Sequence, residues 1–533
     1  MSRYRLLAGG ALLLFIGYAG IFIWQTSFVL DGQRTFLLFD DAMISMAYAR
    51  NLAEGFGLNW ARWGAPVEGF THPLWTFALV LPQLTGLDLA LRPLLVQLAS
   101  LVILVLNVLA VYRLALRHFC TSSPALALLP AIATAAYYPL NYWSLVGMES
   151  GLQSLLIITG IHWALDAASD KDGRVVRLFI LAAVSILLRM DMALFAVAML
   201  AWVFVTTRPG RHRGQWVRGV LLFLLLLGAY QAFRVYYFGD WLPNTYYLKL
   251  AGGDTVVRIK RGVLVFMEFL MPIVLTVGAA TIGALVTLRE RPKHALPLAI
   301  VCGYFAYSIY VGGDAWEDSR MTGNRFQCYV MPLVAVLFAG ALDALLSLRS
   351  VRVPAAVALG LALLVSADLN GLLVGPYRDV RLGYFLLQGR PYNMEAHERV
   401  ARDIHELAGQ LPAETRVAVV WAGIPAYFSN FRMIDVMGYN DREIAHGPWS
   451  YPVPLEMARL YVPGHMKHNL ALTLREKAPD VLFQWWVTWG EAETRMLESM
   501  GYQRLQTGPP ITATAGVMWL RESAQLPLNW PDP

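Results

Sequence analysis

Charge is scarce in this 533-residue chain: 15% of its residues are Asp, Glu, Lys or Arg, against 57% hydrophobic. A soluble protein of this size needs a more polar exterior, so the bulk of the chain belongs in lipid. That excludes a cytosolic dinucleotide-binding enzyme or a simple nucleic-acid binder as a reading of the whole. Cysteine is scarcer still. All three, Cys120, Cys302 and Cys328, precede residue 372, so the long C-terminal stretch has no thiol for a disulfide, and the redox compartment stays open. A glycine-rich phosphate loop is lacking, as are internal repeats and low-complexity tracts.

What is present is a series of charge-poor segments near the length of a bilayer crossing. They lie near 5–25, 94–115, 125–143, 150–167, 176–189, 191–207, 217–237, 263–287, 295–311, 328–347 and 354–372, predicting about eleven transmembrane helices. The first follows Arg3 and Arg5 and ends without a small-residue cleavage pattern, so it reads as a retained helix starting in the cytoplasm. The count then places Arg113 with Arg117, Lys171 to Arg177, Arg208 to Arg218, Arg289 to Lys293, and Arg349 with Arg352 on the cytoplasmic side. Residues 26–93, 238–262, 312–327 and everything after 373 fall outside. The apolar stretch 73–87 would reverse that polarity if it crossed, and is expected to lie at the outer interface.

The formal charge of +6 divides unevenly. Residues 1–372 hold 28 basic and 20 acidic groups, residues 373–533 hold 15 and 17, so the excess is in basic membrane loops and not in a nucleic-acid face. Two parts are expected: a membrane part, 1–372, and an extracytoplasmic α/β domain, 373–533. In the latter, EAHERVARDIHELA (395–408) predicts an amphipathic helix, and RVAVVW (416–421), RMIDVM (432–437), 480–484 and 517–520 predict short strands.

The informative loop is FDDAMISMAYARNLAEGFGLNWARWGAPVEGFTHPLW, residues 39–75. Paired acids at a membrane surface repel each other and lose solvation, so keeping them calls for solvent, a cation or a chemical task. One of Asp40 and Asp41 can take a proton from an attacking hydroxyl while the other caps the following helix, Asp41 being the preferred base. Arg50 and Glu54 stand four apart, as a helix-surface pair does. Glu68 and His72 are candidates for substrate contact, His72 for orienting a hydroxyl or phosphate.

This segment, with its DDAMISMAYARNLAEGFGLNW and PVEGFTHPLW runs, resembles the membrane-embedded polyprenyl-phosphate-sugar glycosyltransferases with the GT-C-type fold. The likeness is strongest to the actinobacterial cell-wall arabinofuranosyltransferases and related pilin-modifying enzymes. LLRMDM (187–192), LPNTYYLKL (242–250) and GGDAWEDSRMTGNRFQ (312–327) resemble further family segments. Phe70 and His72 stand where the family commonly has Tyr and Asn, and Ala315 and Trp316 where it often has Phe-Met.

The resemblance implies a polytopic α-helical, GT-C-like enzyme of the cytoplasmic membrane with its site on the outer face. Its donor would be a polyprenyl-phosphate sugar, arabinofuranose first, and its acceptor a cell-envelope glycan, a glycolipid or a pilin-like protein. Asp41 or Asp40 becomes the general base, and Lys249, Arg320 or Arg325 the phosphate-facing cation. Arg189, close to Asp191 between two short apolar segments, reads equally as a phosphate contact or as half of a structural pair within the bundle. Glu149, Tyr247 and Asp314 join Glu68 and His72 as sugar or acceptor contacts, though Glu149 also reads as a helix cap and Asp435 as the ordinary end of a strand. The acids of 314–318 permit a divalent cation without fixing a coordination geometry. The rival reading is a transporter or flippase of lipid-linked saccharides, which polar residues spread through many crossings would favour; here polarity gathers on one side.

Overall fold

The computed structural model describes residues 2–169, 175–207, 213–316, 323–484, 490–506 and 517–524. Arg320, with Glu317 and Asp318, therefore lies outside the described residues. Among those described, four helices are long and apolar enough to cross a membrane: Arg92–Phe119, Arg213–Phe238, Thr255–Val286 and Cys328–Ser347. A fifth crossing results if Tyr138–Leu145 and Ser150–Ala167, bent by 120°, form one broken span. Five more apolar helices, Gly9–Gln25, Pro124–Ala136, Val175–Leu188, Met190–Thr206 and Ala355–Leu369, are shorter. The chain is thus a multi-pass membrane protein built largely of helices.

The segment expected as one crossing at 125–143 is not continuous. Its helix stops at Ala136, and Tyr138–Leu145 starts a separate, tilted element with Pro139 in its first turn, where a missing N–H costs least. Likewise 176–189 and 191–207 are helices Val175–Leu188 and Ala193–Thr206 parted by Arg189 and a short 3-10 turn at Met190–Met192. Each has 14 residues, about 21 Å of helix, which is less than a full hydrocarbon thickness. The stretch at 73–87 forms only Pro73–Ala78 and Val80–Gln83, with Leu74, Phe77, Leu81 and Leu84 exposed.

Between the first helix and Asp40 the chain makes an antiparallel hairpin, β1 (Ser27–Leu30) and β2 (Gln33–Phe36). Asp31 and Gly32 turn it with φ of 47° and 78°, the double positive φ that a tight two-residue hairpin needs. Phe36 N–H then donates to Ala90 O (3.0 Å) and Phe39 N–H to Val146 O (2.9 Å). These two bonds fix where the helix Asp40–Ala53 begins.

The C-terminal part carries a five-stranded mixed sheet. Its strands are β3 (Arg416–Val419), β4 (Arg432–Asp435), β5 (Val481–Leu482), β6 (Tyr502–Gln506) and β7 (Val517–Arg521), in the order β4-β3-β5-β7-β6. β4 and β5 flank β3 in parallel, whereas β7 runs antiparallel to both β5 and β6. The expected helix is present as Met394–Gln410, with Val400, Ile404 and Leu407 on its buried face.

This sheet shares one apolar core with the helices. Its seam with the first loop is polar: Arg50 donates to Tyr427 O, Ser429 O and Asn430 Oδ1, and also pairs with Glu54 at 2.9 Å. Trp60 Nε1 donates to Ala422 O (2.8 Å), and Tyr48 O–H to Val67 O and Asn440 Oδ1.

Candidate functional site

The two aspartates opening the helix Asp40–Ala53 have separate surroundings. Asp40 is buried and accepts hydrogen bonds from the backbone N–H groups of Gly423 (3.1 Å) and Ile424 (2.8 Å). Burial pushes its carboxyl up to about 7, the Ile424 N–H opposing. Its place is the seam with the C-terminal part. Gly423 is required there because a Cβ would sit 1.8 Å from Asp40 O.

Asp41 faces a cavity. Its side chain is 20% exposed and pairs through Oδ2 with Nη1 of Arg325, a residue 284 positions away. Arg325 is occupied on its other edge as well. Nε and Nη2 donate to Oδ2 and Oδ1 of Asp314, both at 2.7 Å, a two-pronged match of planar groups. Burial alone would raise the Asp314 carboxyl, but Arg325, with Lys249 and Arg189 adding to it, holds the group well below the usual carboxylate range. Arg325 also lies over the Trp143 ring at 5.5 Å. It thus serves as the strut that orients Asp41.

The space beside Asp41, about 40 Å³, is bounded by Ser45, Thr71, His72, Arg189, Lys249 and Tyr439 among others. Thr71, Arg189, Thr245 and Lys249 also border an adjoining cavity of about 250 Å³, closed by Tyr246, Tyr307, Phe326 and Pro463. Lys249 stands at this junction. Burial pushes its ammonium down to about 8, with Arg325 adding to the shift. The ammonium lies 5.3 Å from the Tyr439 ring centroid and makes no hydrogen bond or ion pair among the described residues.

The other expected contacts are distributed unequally. His72 lines the small cavity; its Nε2 is 2.7 Å from Ser45 Oγ and its Nδ1 3.8 Å from Glu149 Oε2, and burial pushes the imidazole below its usual value. Glu149 is buried and pairs with Arg189 Nη1, while Arg189 Nε reaches Asp191 at 3.0 Å. Arg189 therefore borders both cavities as a compensated charge.

Two expected contacts are placed elsewhere. Glu68 borders neither cavity, being taken up by Arg234 Nε (2.6 Å) and Tyr230 O–H (2.6 Å) of the helix Arg213–Phe238. Tyr247 stacks on His446 at 3.9 Å, and its neighbour Tyr246 lines the larger cavity instead. Asp435 ends β4 by accepting from the N–H groups of Met437, Gly438 and Asn440, a turn as the sequence suggests.

Tyr439, Ser45, Thr71 and Thr245 are site residues that sequence reasoning missed. Ser45 could have been found, since it lies one helical turn beyond Asp41. Tyr439 reaches the cavity from the turn after β4, and no local spacing signals that.

Three comparisons bear on this arrangement. A domain of unknown function, DUF8728, matches residues 390–515. The terminal β-(1→2)-arabinofuranosyltransferase of Mycobacterium tuberculosis (strain ATCC 25618 / H37Rv) is 30% identical over 280 residues, 49% of this chain and 42% of that protein. This chain thus matches less than half the length of that relative.

Among solved structures, ArnT from Cupriavidus metallidurans in the apo state aligns over 98% of this chain and all of its own, with a TM-score of 0.57 and 13% identity. The same protein bound to undecaprenyl phosphate aligns over 98% and 99%, at 0.57 and 12%. At such identity the likeness is one of architecture, and it covers nearly the whole chain: this protein has the fold of the GT-C-type glycosyltransferases.

Proposed function

We propose that this protein is a glycosyltransferase that moves a sugar, arabinofuranose as the first candidate, from a polyprenyl-phosphate donor to a saccharide or protein acceptor. The place would be the outer face of the cytoplasmic membrane. The observation that carries this reading is the meeting, around adjoining cavities, of a partly exposed carboxylate, Asp41, with an ammonium, Lys249, that forms no ion pair among the described residues. The arabinofuranosyltransferase likeness supports the sugar, and the ArnT complex with undecaprenyl phosphate supports the donor class.

In this reading the acceptor hydroxyl sits against Asp41, which removes its proton as the new bond to the anomeric carbon forms. The bond from that carbon to the phosphate oxygen breaks, and its electron pair leaves with the polyprenyl phosphate. Lys249 meets that charge. Arg325, already committed to Asp314 and Asp41, holds the base in place, and a phosphate role for it would require giving up one of those pairs. Arg320 is a further proposed phosphate contact.

The test is transfer by the purified full-length protein across a panel of polyprenyl-phosphate sugars, with radiolabelled product as readout. Wild-type protein that binds and consumes none of them would overturn the reading. Consumption of a donor other than the arabinofuranosyl one would keep the reaction and replace the sugar.

A further inference from the structure

At the other end of the helical bundle, far from Asp41, two imidazoles and one carboxylate converge. His118 Nε2 lies 3.3 Å from Asp166 Oδ1, and His162 Nε2 lies 3.8 Å from Asp166 Oδ2. One ligand atom from each of the three residues lies within 4.8 Å of the others. His162 and Asp166 stand four apart on the helix Ser150–Ser169, so they share a face. That helix starts next to Glu149 at the candidate site, and 17 residues of rise put Asp166 about 25 Å away from it. The cluster is thus separate from the transfer chemistry.

His118 is brought to that face by a local irregularity. Residues Ala115–Phe119 form a π turn, in which Cys120 N–H reaches back five residues to Ala115 O at 2.7 Å. Such a turn inserts a residue and re-aims the side chains after it, and it is common at functional positions. The two rings meet edge to face with centroids 5.0 Å apart, which leaves both Nε2 atoms directed at the one carboxylate. A structural ion pair would need a single imidazole. Two neutral nitrogen donors and a carboxylate oxygen at these spacings instead match the ligand set of a first-row divalent cation, which would draw them in to roughly 2.0–2.2 Å.

We propose that His118, His162 and Asp166 form a binding site for a divalent transition-metal ion of the zinc class, with one coordination position left open. The side chains are 12%, 25% and 23% exposed, so an ion has a path in. Arg117 Nε competes for Asp166 Oδ1 at 3.0 Å, but its side chain is 63% exposed and free to swing away, and Oδ2 stays directed at His162. Bound, the ion would clip the ends of helices Arg92–Phe119 and Ser150–Ser169 together, which makes it a structural or sensing site independent of donor and acceptor.

The experiment strips full-length protein in detergent with a chelator and titrates it with Zn²⁺, counting bound metal by elemental analysis. Co²⁺ serves as a spectroscopic probe in parallel. Wild-type protein is expected to hold one ion that the His118→Gln/His162→Gln variant lacks and that Asp41→Asn retains. Because the double variant could misfold, a second readout uses wild-type protein alone: Zn²⁺ is expected to protect His118 and His162 from acylation by diethyl pyrocarbonate, mapped by mass spectrometry. No bound ion in the wild type, an unchanged stoichiometry in a folded double variant, or unprotected histidines in the metal-loaded protein would each overturn the proposal. None of these outcomes touches glycosyl transfer, which is assayed separately.

Discussion

Successive residues on a helix point about 100° apart, so Asp40 and Asp41 meet different partners although the chain makes them neighbours. Asp40 is held by the amides of Gly423 and Ile424, and Asp41 has open space beside it. Replacing each by its amide separates the two roles. Asp41→Asn removes the base and is expected to lower kcat about 10²- to 10⁴-fold while the protein still purifies as wild type. Asp40→Asn still presents an oxygen to the amides, so it is expected to keep most of the transfer activity and lose about 1 kcal/mol of stability. Equal losses of kcat in the two variants would reject that division.

Lys249 gives a second test at this scale. Its ammonium loses its charge as pH rises through about 8, so affinity for a phosphate-bearing donor is expected to fall above that point. Donor KM should climb through pH 8 in the wild type and stay flat in Lys249→Gln.

At the scale of elements, the loop after the first helix is gripped on two sides. Glu68 anchors it to the helix Arg213–Phe238 through Arg234 and Tyr230, and Asp40 with Arg50 anchors it to the C-terminal part. Glu68→Ala leaves the Arg234 guanidinium buried and unpaired, a loss of about 3–5 kcal/mol. Gly423→Ala forces a Cβ onto the Asp40 carbonyl and is expected to cost about 1–3 kcal/mol. Thermal unfolding in detergent checks both, and an unchanged Tm for either would contradict the seam described.

Much of this was legible in the sequence, and the remainder has a physical reason for having been hidden. The carboxylates after the first helix, the basic loop residues Lys249 and Arg325, and the strands β3, β4, β5 and β7 announce themselves by local composition and period. The hairpin β1–β2 carried a readable signal in Asp31-Gly32 that the apolar pattern around it masked. Glu68–Arg234 and Asp40–Gly423 join residues 166 and 383 positions apart, and a single sequence holds no record of such pairs. The break at Tyr137 was hidden because apolar content continues across it.

For the whole molecule, the proposed reaction depends on every site element lying on one side of the membrane. The hairpin β1–β2, the start of Asp40–Ala53, Lys249, Arg325 and the C-terminal sheet meet at one end of the bundle, whereas His118, Asp166 and the loop after Cys328–Ser347 lie at the other. Basic Arg113, Arg117, Arg291, Lys293, Arg349 and Arg352 gather at that second end, which the charge rule assigns to the cytoplasm. Cysteines placed at the exposed positions Thr85 and Glu491 should therefore react in intact cells with a maleimide that does not cross membranes. A cysteine at Arg349 should react only after permeabilisation, with the native exposed Cys302 controlled by the parent protein. The reverse pattern would put Asp41 on the cytoplasmic side, where an outward-facing lipid-linked donor never meets it, and the transfer reading would fall even if the fold stood unchanged.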